Sequence, residues 1–421
     1  MSCTLTMTSI QKLKLQEYLL QDNNERVAWA LCGQATNGLK KKLTIYEFFF
    51  LEAKDYIENR PNRVNWKTDF LMPLLEKAEE KGLTLVKFHN HPRGCNNFSV
   101  LDDNSDREVF RSIHNWFDET NTVASCILLP DGQIFGRCID EKLEFYPIDK
   151  VVEVGSSIII HSSKQLTMNR FNEKNVLAFG EDTYSSLQQL RVAVVGASGT
   201  GSQVIEQLVR NGVKELVIID DDVVKEKNLN RITNTGIEDS DNEELKVFAI
   251  KKTLDGYGLG ADITAIPKNI KDKSAIKELS TCDVVFGCVD TAEGRHIINK
   301  AATYYSISYI DIGVGLEAKP EVGINSVSAA VHYIQPGEKP LIERDVYTSE
   351  DLANEYNNQI KDGNYEDDLN RGYIKGAIED RPAVISLNSC AASLAVLDLI
   401  ARLDNFRYIG KENISIKVQG S

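Results

Sequence analysis

The stretch Arg191-Val-Ala-Val-Val-Gly196-Ala-Ser-Gly199-Thr-Gly201 limits the fold of this chain more than any other. A short apolar run leads into closely spaced glycines, and the segment GSQVIEQLVRNG follows, stopped by Gly212. That order predicts a buried strand, a tight turn and a helix whose N-terminal amides favour an anion. The alternation continues: ELVIIDDDVV, DVVFGCVDT and SYIDIGVG read as strands, EELKVFAIKKTLDGYG and GRHIINKAATYYS as helices. Strands that alternate with helices predict an α/β unit, a Rossmann-like doubly wound and mainly parallel sheet.

Residues 1–150 follow a different pattern, a smaller α+β domain. LQEYLLQ, FLMPLLEKAEEKG and DREVFRSIHNWFDE have helical character; VAWALCG and LTLVKFHNHP read as strands. In VASCILLPDGQIFGRC an Asp-Gly pair between apolar runs predicts a hairpin. The serine-rich segment 151–168 is expected to be a linker or an edge hairpin, with the second domain over 169–421. A polar, acidic stretch at about 336–380 is expected to be a long crossover loop over the surface. A length of 421 residues is too great for one core and suits at least two domains.

The chain carries a formal net charge of −14, which makes nucleic acid or an anionic membrane a poor partner and favours another protein. No stretch reads as the roughly 18 consecutive apolar residues of a membrane span. The opening MSCTLTMTSIQKLKLQEYLLQ lacks the pattern of a signal peptide, so a cytoplasmic location is expected. Eight scattered cysteines without a CxxC pair indicate neither a disulfide framework nor a cysteine zinc site.

His89-Asn90-His91-Pro92 closes an apolar strand, and Ser99 and Asp102 follow. Residues i and i+2 of a strand face one side, so both imidazoles can converge on one ion. Asp102, near the start of the next helix, can supply a third ligand, leaving a fourth tetrahedral position for water, as in catalytic zinc sites. The spacing H-x-H-P-x6-S-x2-D resembles that of the JAMM (JAB, MPN+) zinc metallopeptidases, which process ubiquitin-like proteins. The resemblance covers roughly residues 15–147. It implies that His89, His91 and Asp102 bind Zn²⁺, that Ser99 helps stabilise the oxyanion, and that a glutamate upstream acts as general base. Glu25, just before VAWALCG, fits that place ahead of Glu47 and Glu52.

In the second half, Asp220 ends a strand where it can hold a ribose, a placement that suits NAD as well as ATP. The following residues separate the two. Asn228-Leu229-Asn230-Arg231 lies past the acidic strand, Lys246 opens a helix and Asp290 ends DVVFGCVD. Arg231 and Lys246 can neutralise a triphosphate and Asp290 can hold Mg²⁺, neither of which a nicotinamide dehydrogenase needs. With the loop Gly196, Gly199 and Gly201 and the DxDxV pair Asp220 and Asp222, these residues resemble the ubiquitin-activating (ThiF-like) superfamily over about 169–404. The resemblance implies ATP- and Mg²⁺-dependent adenylation of the C-terminal glycine of a ubiquitin-like protein, a homodimer, and a conjugating enzyme as a further candidate partner.

The pattern departs from that superfamily in two places. Arg170-Phe171-Asn172-Glu173-Lys174 puts Glu173 where an arginine finger is expected, with Arg170 or Lys174 as substitutes. Residues 289–389 contain no cysteine, so no thioester cysteine stands on the crossover. Cys390 reads as a core residue of an apolar helix, and Thr348 or Ser349 is an oxyester candidate. Together the two halves imply maturation and activation of one ubiquitin-like modifier, as in bacterial conjugation systems, some linked to defence. Sulfur-carrier activation for biosynthesis and a scaffold with only the peptidase active are the alternatives.

Overall fold

The apolar run Thr84–Asn90 is buried along its whole length, as expected of a strand covered on both faces. The computed structural model describes residues 2–117, 121–164, 167, 170–319, 323–360, 384–404 and 413–419. It divides into two units, Met1–Gln165 and Leu166–Ser421.

The first unit runs β1 (Ser2–Thr8), α1 (Ser9–Leu19), β2 (Val27–Asn37), β3 (Lys40–Phe50), β4 (Tyr56–Arg60), β5 (Arg63–Trp66), α2 (Met72–Lys81) and β6 (Thr84–Asn90). It continues through α3 (Val100–Trp116), β7 (Val123–Leu128), β8 (Ile134–Ile139), β9 (Phe145–Pro147), β10 (Lys150–Val154) and β11 (Ile158–His161). The sheet order is β11-β10-β1-β3-β2-β6-β7-β8-β9. Strand periodicity splits the core in two. Ala28, Ala30 and Cys32 share one cluster with Leu15 and Leu19 of α1. Val27, Trp29 and Leu31 face the other way, against α2 and α3 through Leu74, Ala78, Phe110 and Ile113. Of the two readings of 151–168, a linker or an edge hairpin, its first part takes the second: β10 pairs in parallel with β1 and β11 folds back on β10.

The second unit runs α4 (Glu173–Phe179), α5 (Glu181–Gln189), β12 (Arg191–Val195), α6 (Gly199–Arg210), β13 (Glu215–Ile219), α7 (Ile237–Asp241), α8 (Lys246–Gly256) and β14 (Asp262–Ile266). There follow α9 (Lys273–Leu279), β15 (Val284–Gly287), α10 (Ala292–Tyr304), β16 (Ser308–Lys319), β17 (Gly323–Ile334), α11 (Ser349–Ile360), α12 (Ile385–Asp404) and β18 (Asn413–Gln419). The order β14-β13-β12-β15-β16-β17-β18 is parallel through β16 and antiparallel beyond. The chain leaves β12 in one direction for β13 and β14, then crosses to β15 on its other side. The crevice at the carboxyl ends of β12 and β15 is therefore the switch point where such sheets bind ligands.

The stretch at 336–380 expected to be a long crossover loop contains α11, and its residues 361–380 lie outside the described ones. Helix α12 is long and apolar enough to cross a membrane by composition, contrary to the expectation from sequence. It packs on α6, β16 and β17 and carries a buried Asp398–Arg402 pair at 2.8 Å, which makes it a core helix. Cys390, expected in the core, is exposed among the described residues because it lies on the outer side of α12.

Candidate functional site

In the first unit the strand brings His89 and His91 to the same side, their Nε2 atoms 3.2 Å apart. Asp102 reaches them from the first turn of α3, with Oδ1 3.1 Å from His89 Nε2 and Oδ2 3.5 Å from His91 Nε2. These ligand atoms all lie within 4.8 Å of one another, close enough to hold a metal ion. His91 Nδ1 faces the Cys95 carbonyl at 2.8 Å, which fixes the tautomer that leaves Nε2 a lone pair. Burial is the main force pushing the His89 pKa down, favouring the neutral ligand form. Burial alone would raise the Asp102 pKa, but the bonds from both imidazoles hold it well below the usual carboxylate range.

Ser99 is the N-cap of α3. Its hydroxyl oxygen accepts from Asp102 N at 3.1 Å, while Ser99 N donates to Asp102 Oδ2 at 2.7 Å. The serine thus orients the Asp102 carboxylate. Val27 pairs with His89 across β2 and β6, and Glu25, two residues before Val27, lies near enough to His91 and Asp102 to feel the charge of both. Burial, chiefly, raises the Glu25 pKa; the Asp102 charge adds to this, and His91 and Arg93 oppose it. The rivals are engaged elsewhere: Glu47 pairs with Lys77 at 2.5 Å, and exposed Glu52 with Lys54 at 2.8 Å.

In the second unit the glycines are fixed by close contacts. Gly196 has φ +90°, and a Cβ there would lie 2.7 Å from the Cys288 carbonyl oxygen. A Cβ on Gly201 would lie 1.8 Å from the Gly196 carbonyl oxygen, so only glycine lets α6 start against the turn. A Cβ on Gly199 would meet the Arg231 side chain at 3.1 Å, which places the Arg231 stem over the loop. Asp220 braces that loop: its carboxylate accepts from Ala197 N at 2.7 Å and Asp222 N at 2.9 Å. Burial raises the Asp220 pKa and nearby Lys246 opposes the shift.

Lys246, buried at the start of α8, holds Asp222 at 2.7 Å. Asn228 is buried, and its carbonyl accepts from Arg231 N and Ile232 N at 3.0 Å each, fixing the turn that carries Arg231. Asp290 is exposed past the end of β15, directly before Thr291, the N-cap of α10. Glu173 and Lys174 are exposed at the start of α4. Thr348 caps α11, its hydroxyl oxygen accepting from Asp351 N at 3.1 Å and its proton directed to Asp351 Oδ2 at 2.8 Å.

Two contacts escaped the sequence reading. Asn388 of α12, in the amide orientation that satisfies both its ends, accepts from Thr200 N at 3.2 Å and Thr200 Oγ1 at 2.7 Å. Glu355 of α11 accepts from Ala292 N and Glu293 N, each at 2.8 Å, at the start of α10. A buried polar residue in an apolar helix was the available signal for Asn388. None existed for Glu355.

The sheet order and glycine turn define a doubly wound α/β unit. Residues 172–417, more than half of the chain, match the ThiF family model, and the chain belongs to the ThiF family. It is 34% identical over 169 residues to "Ubiquitin-like modifier-activating enzyme 5" of Culex quinquefasciatus, covering 37% of this chain and 40% of that protein. It is 31% identical over 143 residues to "Adenylyltransferase and sulfurtransferase UBA4" of Meyerozyma guilliermondii, covering 33% and 32%. The chain thus spans well under half the length of these curated relatives. Among solved structures it is similar to E. coli MccB with ATP, at a TM-score of 0.43 and 19% identity, covering 60% of this chain and 69% of that one.

Proposed function

We propose that this chain matures and activates a ubiquitin-like protein, with a zinc peptidase site in the first unit and an adenylation site in the second. The observation that carries the adenylation reading is the Gly196–Gly201 turn, packed so tightly that a Cβ on Gly201 would lie 1.8 Å from the Gly196 carbonyl oxygen. Amides of that turn and the α6 N-terminus cradle the phosphates of ATP. Arg231 and Lys246 neutralise them, and Asp290 holds Mg²⁺. The glycine carboxylate of the carrier attacks the α-phosphate and pyrophosphate leaves, so charge stabilisation on the phosphates is the main catalytic task. ThiF family membership and the names of the matched relatives support this reading. The cysteine-free span 289–389 favours an acyl-adenylate handed directly to an acceptor.

The convergence of His89, His91 and Asp102 supports the peptidase reading. Zinc held by them supplies a Lewis acid and a water of lowered pKa. Glu25 takes the water's proton, and the Ser99 hydroxyl, whose oxygen already accepts from Asp102 N, directs its proton to the oxyanion. A cytoplasmic homodimer that passes its product to a conjugating enzyme fits both halves. Sulfur-carrier activation is the second reading, favoured by the likeness to the UBA4 sulfurtransferase.

One ubiquitin-like protein, prepared ending in glycine and with a short extension beyond it, tests both halves. Cleavage of the extended form should require His89, His91 and Glu25. ATP–pyrophosphate exchange with the mature form should require Asp290. Failure of either arm removes that half of the reading.

A further inference from the structure

Below the histidine pair lies a second row of polar side chains that the proposed chemistry does not use. Lys87, two residues before His89 and on the same side of β6, is in register with Ser125 of β7, and Ser125 with Arg137 of β8. Above this row, on α3, sits Asp106, with no exposure to solvent. One of its carboxylate oxygens takes Lys87 Nζ and the other takes Arg137 Nη2 at 2.7 Å. Arg137 also binds Asp103 and stacks between Phe98 and Phe145, each ring centroid 3.7 Å from the guanidinium carbon. Phe98 in turn lies against the His89 ring, with centroids 6.2 Å apart.

The spacing of the two rows is the point. His89 and Lys87 are one strand repeat apart, nearly 7 Å, and Asp102 and Asp106 are one helical turn apart, about 6 Å. Two elements with matched repeats therefore make two parallel rungs, His89–Asp102 and Lys87–Asp106. A shift of α3 along the sheet that moved Asp102 off the histidines would also draw Asp106 away from Lys87 and Arg137 and leave buried charges without their partner. Buried ion pairs add little net stability, and in some proteins they specify register.

We infer that Lys87, Asp106 and Arg137 are positioning residues that set Asp102, the third metal ligand, against His89 and His91. This rests on the metal reading of that site. Titration of the full-length metal-free chain with Co²⁺ tests it, following affinity and the visible absorption of tetrahedral Co²⁺, with Asp102→Ala as the reference for a lost ligand. Asp106→Asn and the double variant Lys87→Met/Asp106→Leu are both measured, each checked for folding by circular dichroism; the second replaces Lys87 and Asp106 by apolar side chains of similar size and leaves Arg137 its bond to Asp103. Both should bind Co²⁺ roughly 10- to 100-fold more weakly, with a spectrum moved towards that of Asp102→Ala, while Lys87→Arg keeps most of the affinity. Variants that unfold more easily yet bind Co²⁺ with wild-type affinity and spectrum would overturn the inference and leave the row a plain stability element. A wild-type chain that binds no Co²⁺ would overturn the metal reading as well, and is told apart by that control alone.

Discussion

At the scale of single residues, Glu25 separates a functional role from a structural one. Burial raises its pKa in the folded state, so the metal-free protein pays for carrying its charge. A raised carboxylate pKa contributes stability at pH values below the unfolded value near 4.5, and that contribution is lost as pH rises through the folded value. Glu25→Gln should therefore match the wild type in urea unfolding at pH 4 and be the more stable of the two at pH 7. The same variant should lower peptidase turnover at least 100-fold while leaving zinc content unchanged. A Glu25→Gln chain that still cleaves would assign the general base elsewhere. For the metal itself, His91→Ala or Asp102→Ala should abolish stoichiometric zinc, as read by elemental analysis of the purified chain.

At the scale of elements, the turn between β12 and α6 is governed by steric limits. Gly201→Ala would drive a methyl group into the Gly196 carbonyl, so the helix must retreat or the turn must open. The expected result is about 1–3 kcal/mol of destabilisation and ATP affinity down at least tenfold by calorimetry. Unchanged ATP affinity would argue that the phosphates lie away from this turn. This element was legible because its physics is local: an apolar run, glycines and a helix stop are all set by neighbours in sequence. The histidine strand was legible for the same reason. What stayed hidden depends on distant pairing. At 151–168 the sequence left a linker and an edge hairpin open, and only the pairing of β10 with β1 decides between them. Glu355 caps α10 across 63 residues of sequence. Cys390 lies in an apolar run, and only the helix's orientation on α6, β16 and β17 turns it outward.

At the scale of the whole molecule, the chain divides into two units with separate cores, and each holds one of the two proposed sites. Removal of zinc by a zinc-selective chelator, with Mg²⁺ kept in excess, should therefore stop cleavage while leaving ATP–pyrophosphate exchange with a mature carrier within about twofold of its starting rate, since each proposed site is built from side chains of its own unit. Loss of both activities on chelation would show that the metal supports more than the peptidase. The central claim is that one chain prepares the substrate it then activates. Its most direct test is ATP–pyrophosphate exchange by the full-length protein supplied with a ubiquitin-like protein extended beyond its terminal glycine. Exchange should appear after a lag, vanish in His89→Ala, return in His89→Ala when the mature form is supplied, and be absent from Asp290→Ala with either form. Exchange from the extended form at full rate in His89→Ala, or none from the wild type with the mature form, would contradict the account.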